Sequence, residues 1–239
     1  MRWVKDRSGR FSERPHYDAK ELDEECEEII SEFLRRRYRC VGYPVATDDL
    51  TRLIEEIAGD LDMYADLSME GADVEGVTEF GRGQRPRVRI SREISGRPEF
   101  ENRLRTTLTH EFGHAKFHDF MFQINAGSSL FAGTAVQVSA KCKRTSIIGA
   151  PAQDWMEWQA GYVCGAILMP RRPLQEALRD YRTASGLGTA VFHVGSCEGE
   201  ALIRAVANQF AVSKEAAKVR LLKLNLLGEA GHVGPGLFP

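Results

Sequence analysis

The chain has 239 residues, 43% hydrophobic and 28% charged, with 22 Gly and 9 Pro. That length suits one large domain or two smaller ones with a core that needs no disulfide staples, and the composition excludes a disordered or fibrous protein. Its 32 Lys+Arg against 34 Asp+Glu leave a net charge of −2, which argues against a protein-wide phosphate-binding surface.

No run of about 18 apolar residues is present, so no membrane span is expected. The opening Met1-Arg2-Trp3-Val4-Lys5-Asp6-Arg7 lacks the apolar core of a secretory signal. The cysteines, Cys26, Cys40, Cys142, Cys164 and Cys197, are scattered and odd in number, and no CxxC occurs. They suit neither a disulfide framework nor a thiolate zinc site, and together these features predict a cytoplasmic protein.

Residues 1–16 are polar and without periodicity, which predicts a loose arm. From Asp18 to about Tyr38, Leu22, Cys26, Ile29, Ile30 and Phe33 recur at helical spacing. Acids lead this segment and Arg35-Arg36-Arg37 close it, which complements a helix dipole and explains the arginines without nucleic acid. A second helix is predicted with Thr47 as its cap and Leu50, Leu53, Ile54 and Ile57 on its apolar face. Strands are predicted at 61–67, 75–80 and 87–91, the last two joined by the hairpin-like Gly81-Arg82-Gly83-Gln84-Arg85. One of those two is expected to be an exposed sheet edge able to pair with an extended peptide.

Pro98 precedes a long helical pattern from Glu99 to about His118. Residues 119–153 are Gly/Ser-rich and weakly patterned, too long for a simple connector. A helix follows from Trp155 to Met169 and stops at Pro170, and the rest is mostly helical to about Leu227 before a Gly/Pro-rich tail.

The chemistry concentrates at His110-Glu111-Phe112-Gly113-His114. Residues four apart on a helix share one face, so two imidazoles there can bind one zinc ion while the intervening Glu acts on water. Leu104 and Leu108 already anchor this helix, so packing does not require the histidines. His118 lies a further four residues on, where a straight helix carries it past a tetrahedral site, so it reads as a supporting or surface residue. A catalytic zinc needs a third protein ligand. The segment from Glu157 to Pro170 can supply it: Gly161, Cys164, Gly165 and Leu168 share a face that permits close helix approach, with Glu157 one turn earlier. His193, flanked by Phe192 and Val194, reads as structural rather than as a catalytic helper.

HEFGH followed by Glu157-Trp158-Gln159-Ala160 and Ile167-Leu168-Met169-Pro170 resembles the ImmA/IrrE-type zinc metallopeptidases, which pair HExxH with a downstream ExxAxxFAxxLLMP signature. The likeness runs from about Pro44 to Leu227. It departs at Gly161, where Asn or Asp is usual, and at Val163-Cys164, where Phe-Ala is usual. The resemblance implies an α+β, gluzincin-like core, made of a small sheet, an active-site helix and a second ligand-bearing helix, with a C-terminal helical segment. It implies His110, His114 and Glu157 as ligands of Zn2+ and Glu111 as the catalytic base. It divides the chain into an N-terminal arm and helix at 1–43, a peptidase core at 44–170 with an insertion at 119–153, and a C-terminal part at 171–239. Characterised members are cytoplasmic endopeptidases that cleave helix-turn-helix repressors, so a repressor is the implied protein substrate. The competing reading is a DNA- or partner-binding regulator with an inactive protease-like core, because Phe210-Ala211-Val212-Ser213 and the residues after it resemble a helix-turn-helix with Ser213 as cap.

Overall fold

The computed structural model describes residues 1–128, 138–143, 154–187 and 191–229. The chain has a mixed α+β fold in two units, Met1–Pro170 and Arg171–Pro239. Among the described residues there are seven α-helices and two small sheets.

The first unit opens with a hairpin rather than a loose arm. Strands β1 (Arg2–Lys5) and β2 (Glu13–His16) pair antiparallel. Their few residues are too short for a readable period, and aromatic side chains hold them instead. Trp3 meets Phe120 edge-on at 6.0 Å, Phe11 meets Phe122 at 5.3 Å, and Tyr17 meets Phe117 at 5.6 Å. Each such pair contributes about 0.5–1.5 kcal/mol beyond the area it buries.

Helix α1 (Ala19–Tyr38) begins at a capping box in which the Asp18 side chain accepts from the Glu21 backbone and Glu21 reaches back to the Asp18 N–H. Its arginines serve neighbouring carboxylates: Arg36 pairs with Glu56 and Arg37 with Asp49. Helix α2 (Thr47–Glu55) is capped at Ala46, not Thr47. The Thr47 hydroxyl turns instead to Glu101 and Arg105 on the next long helix, a tertiary pull that outweighs the local cap.

Strands β3 (Asp60–Ala65), β4 (Val74–Phe80), β5 (Arg87–Ser91) and β6 (Val138–Lys143) form one sheet in the order β3-β5-β4-β6. Only the β3–β5 pair is parallel. Both β4 and β5 are therefore interior, which overturns the expectation that one of them is an edge. The reason is β6, which lies within 119–153 and pairs along β4 from Val74–Lys143 to Phe80–Val138. Its alternation of Val138, Ala140 and Cys142 with Ser139, Lys141 and Lys143 was a strand signal inside a segment otherwise rich in small residues.

Helix α3 (Glu101–Ser128) runs past His118, because Phe117 and Met121 are buried and Phe122 stacks on Phe80 at 4.2 Å. The 119–153 segment thus contains the end of α3 and β6, while residues 129–137 and 144–153 lie outside the described residues. Helix α4 (Trp155–Leu168) packs against α3 and α1.

The second unit contains α5 (Arg171–Ser185), α6 (Cys197–Phe210) and α7 (Lys214–Lys223). Ser213 caps α7 by accepting from the Ala216 N–H at 3.1 Å. His193 lies in a short backbone pairing with Gly228, and its Nδ1 is 3.2 Å from the Glu229 carbonyl, a structural position. The expected C-terminal tail, 230–239, falls outside the described residues. Cys26, Cys40, Cys164 and Cys197 form no disulfide. No helix among the described residues is long and apolar enough to cross a membrane.

Candidate metal centre

The site forms where α3 crosses α4. His110, His114 and His118 follow one another at four-residue spacing on α3, and all three are fully buried. The crossing is close because Gly113 has no side chain: a Cβ there would stand 3.0 Å from Ala160 Cα and 3.3 Å from the Ala160 carbonyl. Thr109 and Cys164 continue the seam, with Oγ1 and Sγ 3.2 Å apart. Small residues do bring the helices together, but through Gly113, Ala160 and Cys164. Gly161 and Gly165, which the sequence pattern placed on this face, are half-buried.

The crossing delivers Glu157 from the first turn of α4. Asp154 caps that helix by accepting from the Glu157 N–H, and Arg10 of the N-terminal hairpin pairs with Asp154 at 3.1 Å. His110 Nε2 lies 3.2 Å from Glu157 Oε2, His114 Nε2 lies 3.2 Å from Glu157 Oε1, and the two Nε2 atoms are 3.1 Å apart. Ligand atoms on a tetrahedral ion at a zinc-like 2.0–2.1 Å are separated by about 3.3 Å. Spacing and chemistry both suit a metal: two imidazoles and a carboxylate form the one group of this kind among the described residues.

The charges around these donors are set by burial and by one another. Burial pushes the His110 imidazole down, and its hydrogen bond to Glu157 only partly opposes this. Burial acts the same way on His114, but there the hydrogen bond and charge of Glu157 prevail and the imidazole titrates above its ordinary value. Burial would raise the Glu157 carboxyl, yet the two imidazoles hold it well below the usual carboxylate range. Burial keeps His118 neutral far below the ordinary histidine value.

The Glu111 carboxylate rests against the sheet, and its charge also helps to raise the His114 imidazole. Alternate residues of β4, Gly76, Thr78 and Phe80, meet α3: Thr78 Oγ1 donates to Glu111 Oε2, and the Glu111 carboxylate sits over the bare backbone of Gly76. Both carboxylate and strand are buried. The sequence reading missed Gly76 and Thr78. The one available signal was a glycine inside a strand pattern, which marks a close approach.

His110, His114 and Glu157 thus come together as expected, with Glu111 on the same helix as the two histidines. His118 is no surface residue, and its Nδ1 lies 3.0 Å from His114 Nδ1. A model of a peptidase family described as the IrrE N-terminal-like domain matches residues 81–222, more than half of the chain. No curated protein matches the chain.

Proposed function

The chain belongs to the IrrE N-terminal-like peptidase family, and from that premise we propose that it is a zinc-dependent endopeptidase with a specific protein substrate. The observation that carries this reading is the convergence of His110, His114 and Glu157 at 3.1–3.2 Å, with a buried carboxylate, Glu111, one residue after the first histidine. In this reading His110, His114 and Glu157 hold the ion, and residues 44–170 form a gluzincin-like core.

When bound, zinc supplies Lewis-acid polarisation of an amide carbonyl and acidifies water. Glu111 is the general base: it takes the proton of the attacking water and returns it to the leaving nitrogen. Thr78 donates to one oxygen of that carboxylate and so fixes its orientation. Asp154 holds the first turn of α4 and keeps the Glu157 carboxylate facing both imidazoles.

The family resemblance supplies the substrate class, a helix-turn-helix repressor cut at one exposed bond in the cytoplasm. The regulator reading draws on α6, α7 and the Ser213 cap. Of the bases available to it, Lys214, Lys218, Arg220 and Lys223, the Arg220 side chain is buried. That leaves a sparse surface for phosphates, and we keep the peptidase reading.

The test is zinc-loaded protein incubated with candidate repressors, with cuts mapped by mass spectrometry and Glu111→Gln as control. A single cut that Glu111→Gln abolishes while retaining zinc supports the proposal. Salt-sensitive DNA binding with no cleavage under any metal condition favours the regulator.

A further inference from the structure

The far side of the histidine row carries a second arrangement that a three-ligand site does not by itself require. His118 Nδ1 is 3.0 Å from His114 Nδ1, His118 Nε2 is 3.1 Å from Gln159 Oε1, and Gln159 Nε2 donates to the Pro15 carbonyl at 3.3 Å. His118 and Gln159 are both buried, and Trp155 closes edge-on against the His118 ring at 5.4 Å.

The far end of this series fixes its direction. A proline carbonyl only accepts, so Gln159 must turn its NH2 toward Pro15. Gln159 then offers an oxygen to His118, whose Nε2 must carry a hydrogen. A neutral imidazole protonated at Nε2 is bare at Nδ1, so His118 Nδ1 accepts and His114 Nδ1 must donate. In the neutral form that a metal binds, His114 is left with a bare Nε2, the atom that faces His110 Nε2 at 3.1 Å and Glu157 Oε1 at 3.2 Å.

We propose that His118 and Gln159 are positioning residues of the metal centre, which with the Pro15 carbonyl lock His114 in the tautomer that presents Nε2 to the ion. This rests on the zinc reading above. A metal-bound histidine gains basicity and a fixed orientation when its other nitrogen donates a hydrogen bond, and losing that partner typically costs 10–100-fold in metal affinity. The two histidines differ here: His110 Nδ1 is buried without a hydrogen-bond partner among the described residues. The anchor is remote in sequence. Pro15 lies on β2 of the N-terminal hairpin, outside the 81–222 match, so that hairpin is part of the outer support of the site.

A buried histidine and glutamine need partners for stability alone, so the zinc affinity of folded variants separates positioning from a structural role. The direction of the bonds is the second readout. Long-range imidazole 1H–15N spectra of the metal-free, unsubstituted protein at alkaline pH should place hydrogen on Nδ1 of His114 and Nε2 of His118. Hydrogen on Nε2 of His114 overturns the proposal. In chelator competition, Gln159→Leu and His118→Phe should bind zinc about 10–100-fold more weakly, with thermal melts of the metal-free variants confirming that they fold. A folded Gln159→Leu with parental zinc affinity also overturns it. If the unsubstituted protein binds no zinc, the endopeptidase reading falls, and the tautomer spectra still decide the relay.

Discussion

Gly76 and Glu111 share a space that any side chain at 76 would fill: a Cβ there would stand 2.5 Å from Glu111 Oε1 and 2.8 Å from its Cγ. The seat of the Glu111 carboxylate is therefore shaped by a strand 35 residues away in sequence as much as by its own helix. Gly76→Ala should push the carboxylate from its seat against Thr78. Turnover is expected to fall by about 10²-fold or more, the scale of a general base, with zinc content unchanged. Atomic absorption beside a peptidase assay checks this, and full turnover in the alanine variant would remove Gly76 from the argument.

The ligand assignment makes an ordered prediction. His110→Ala and His114→Ala should lose stoichiometric zinc, and Glu157→Ala should weaken it strongly. Asp154→Ala should weaken it less, because Asp154 caps α4 and pairs with Arg10 and reaches His114 only through its charge. Metal titration of the four variants settles the order. If Asp154→Ala were the more severe of the two carboxylate changes, the third ligand would be misassigned.

Gly113→Ala separates two opposed effects. In an exposed helix interior this change stabilises by up to about 1 kcal/mol, because alanine has the better helix propensity. Here the added methyl meets Ala160 Cα at 3.0 Å, backbone that cannot swing away. Overpacking of this kind costs about 1–3 kcal/mol, so the net expectation is a lower Tm. Moving α4 outward also withdraws Glu157, so zinc affinity should fall with it. A raised Tm would mean the helices part without cost.

Zinc binding should be linked to one proton. The His110 imidazole, lowered by burial, and Glu157, lowered by its imidazole partners, already have the deprotonated form a metal needs near neutral pH. His114 is raised above its ordinary value by Glu157 and holds its proton longest. Below that raised value zinc must displace the proton, so affinity falls as pH falls, and above it the dependence flattens. Calorimetry in buffers of different ionisation enthalpy should find about one proton released per zinc on the acid side. Release of none there would contradict the His114–Glu157 pairing.

Much of the site was legible in the sequence because its chemistry is local. His110 and His114 share a face by helical periodicity alone, Glu111 lies between them, and Leu104 and Leu108 orient the helix without help from elsewhere. The start of α1 was written in Asp18 and Glu21, the two ends of a four-residue capping box. The tertiary structure decided what depends on contact between distant segments. Thr47 gave up a cap because Glu101 and Arg105 reach its hydroxyl, and β4 became interior because β6 returned to its edge. Gly76 had to be bare because a helix carboxylate descends on it. Of the two readings open for His118, supporting or surface, the structure took the first because Gln159 and Trp155 close over it and Pro15 holds Gln159. Backbone periodicity is set by neighbours a few residues apart, whereas strand order and the burial of a polar side chain are set by which remote surfaces must be covered together.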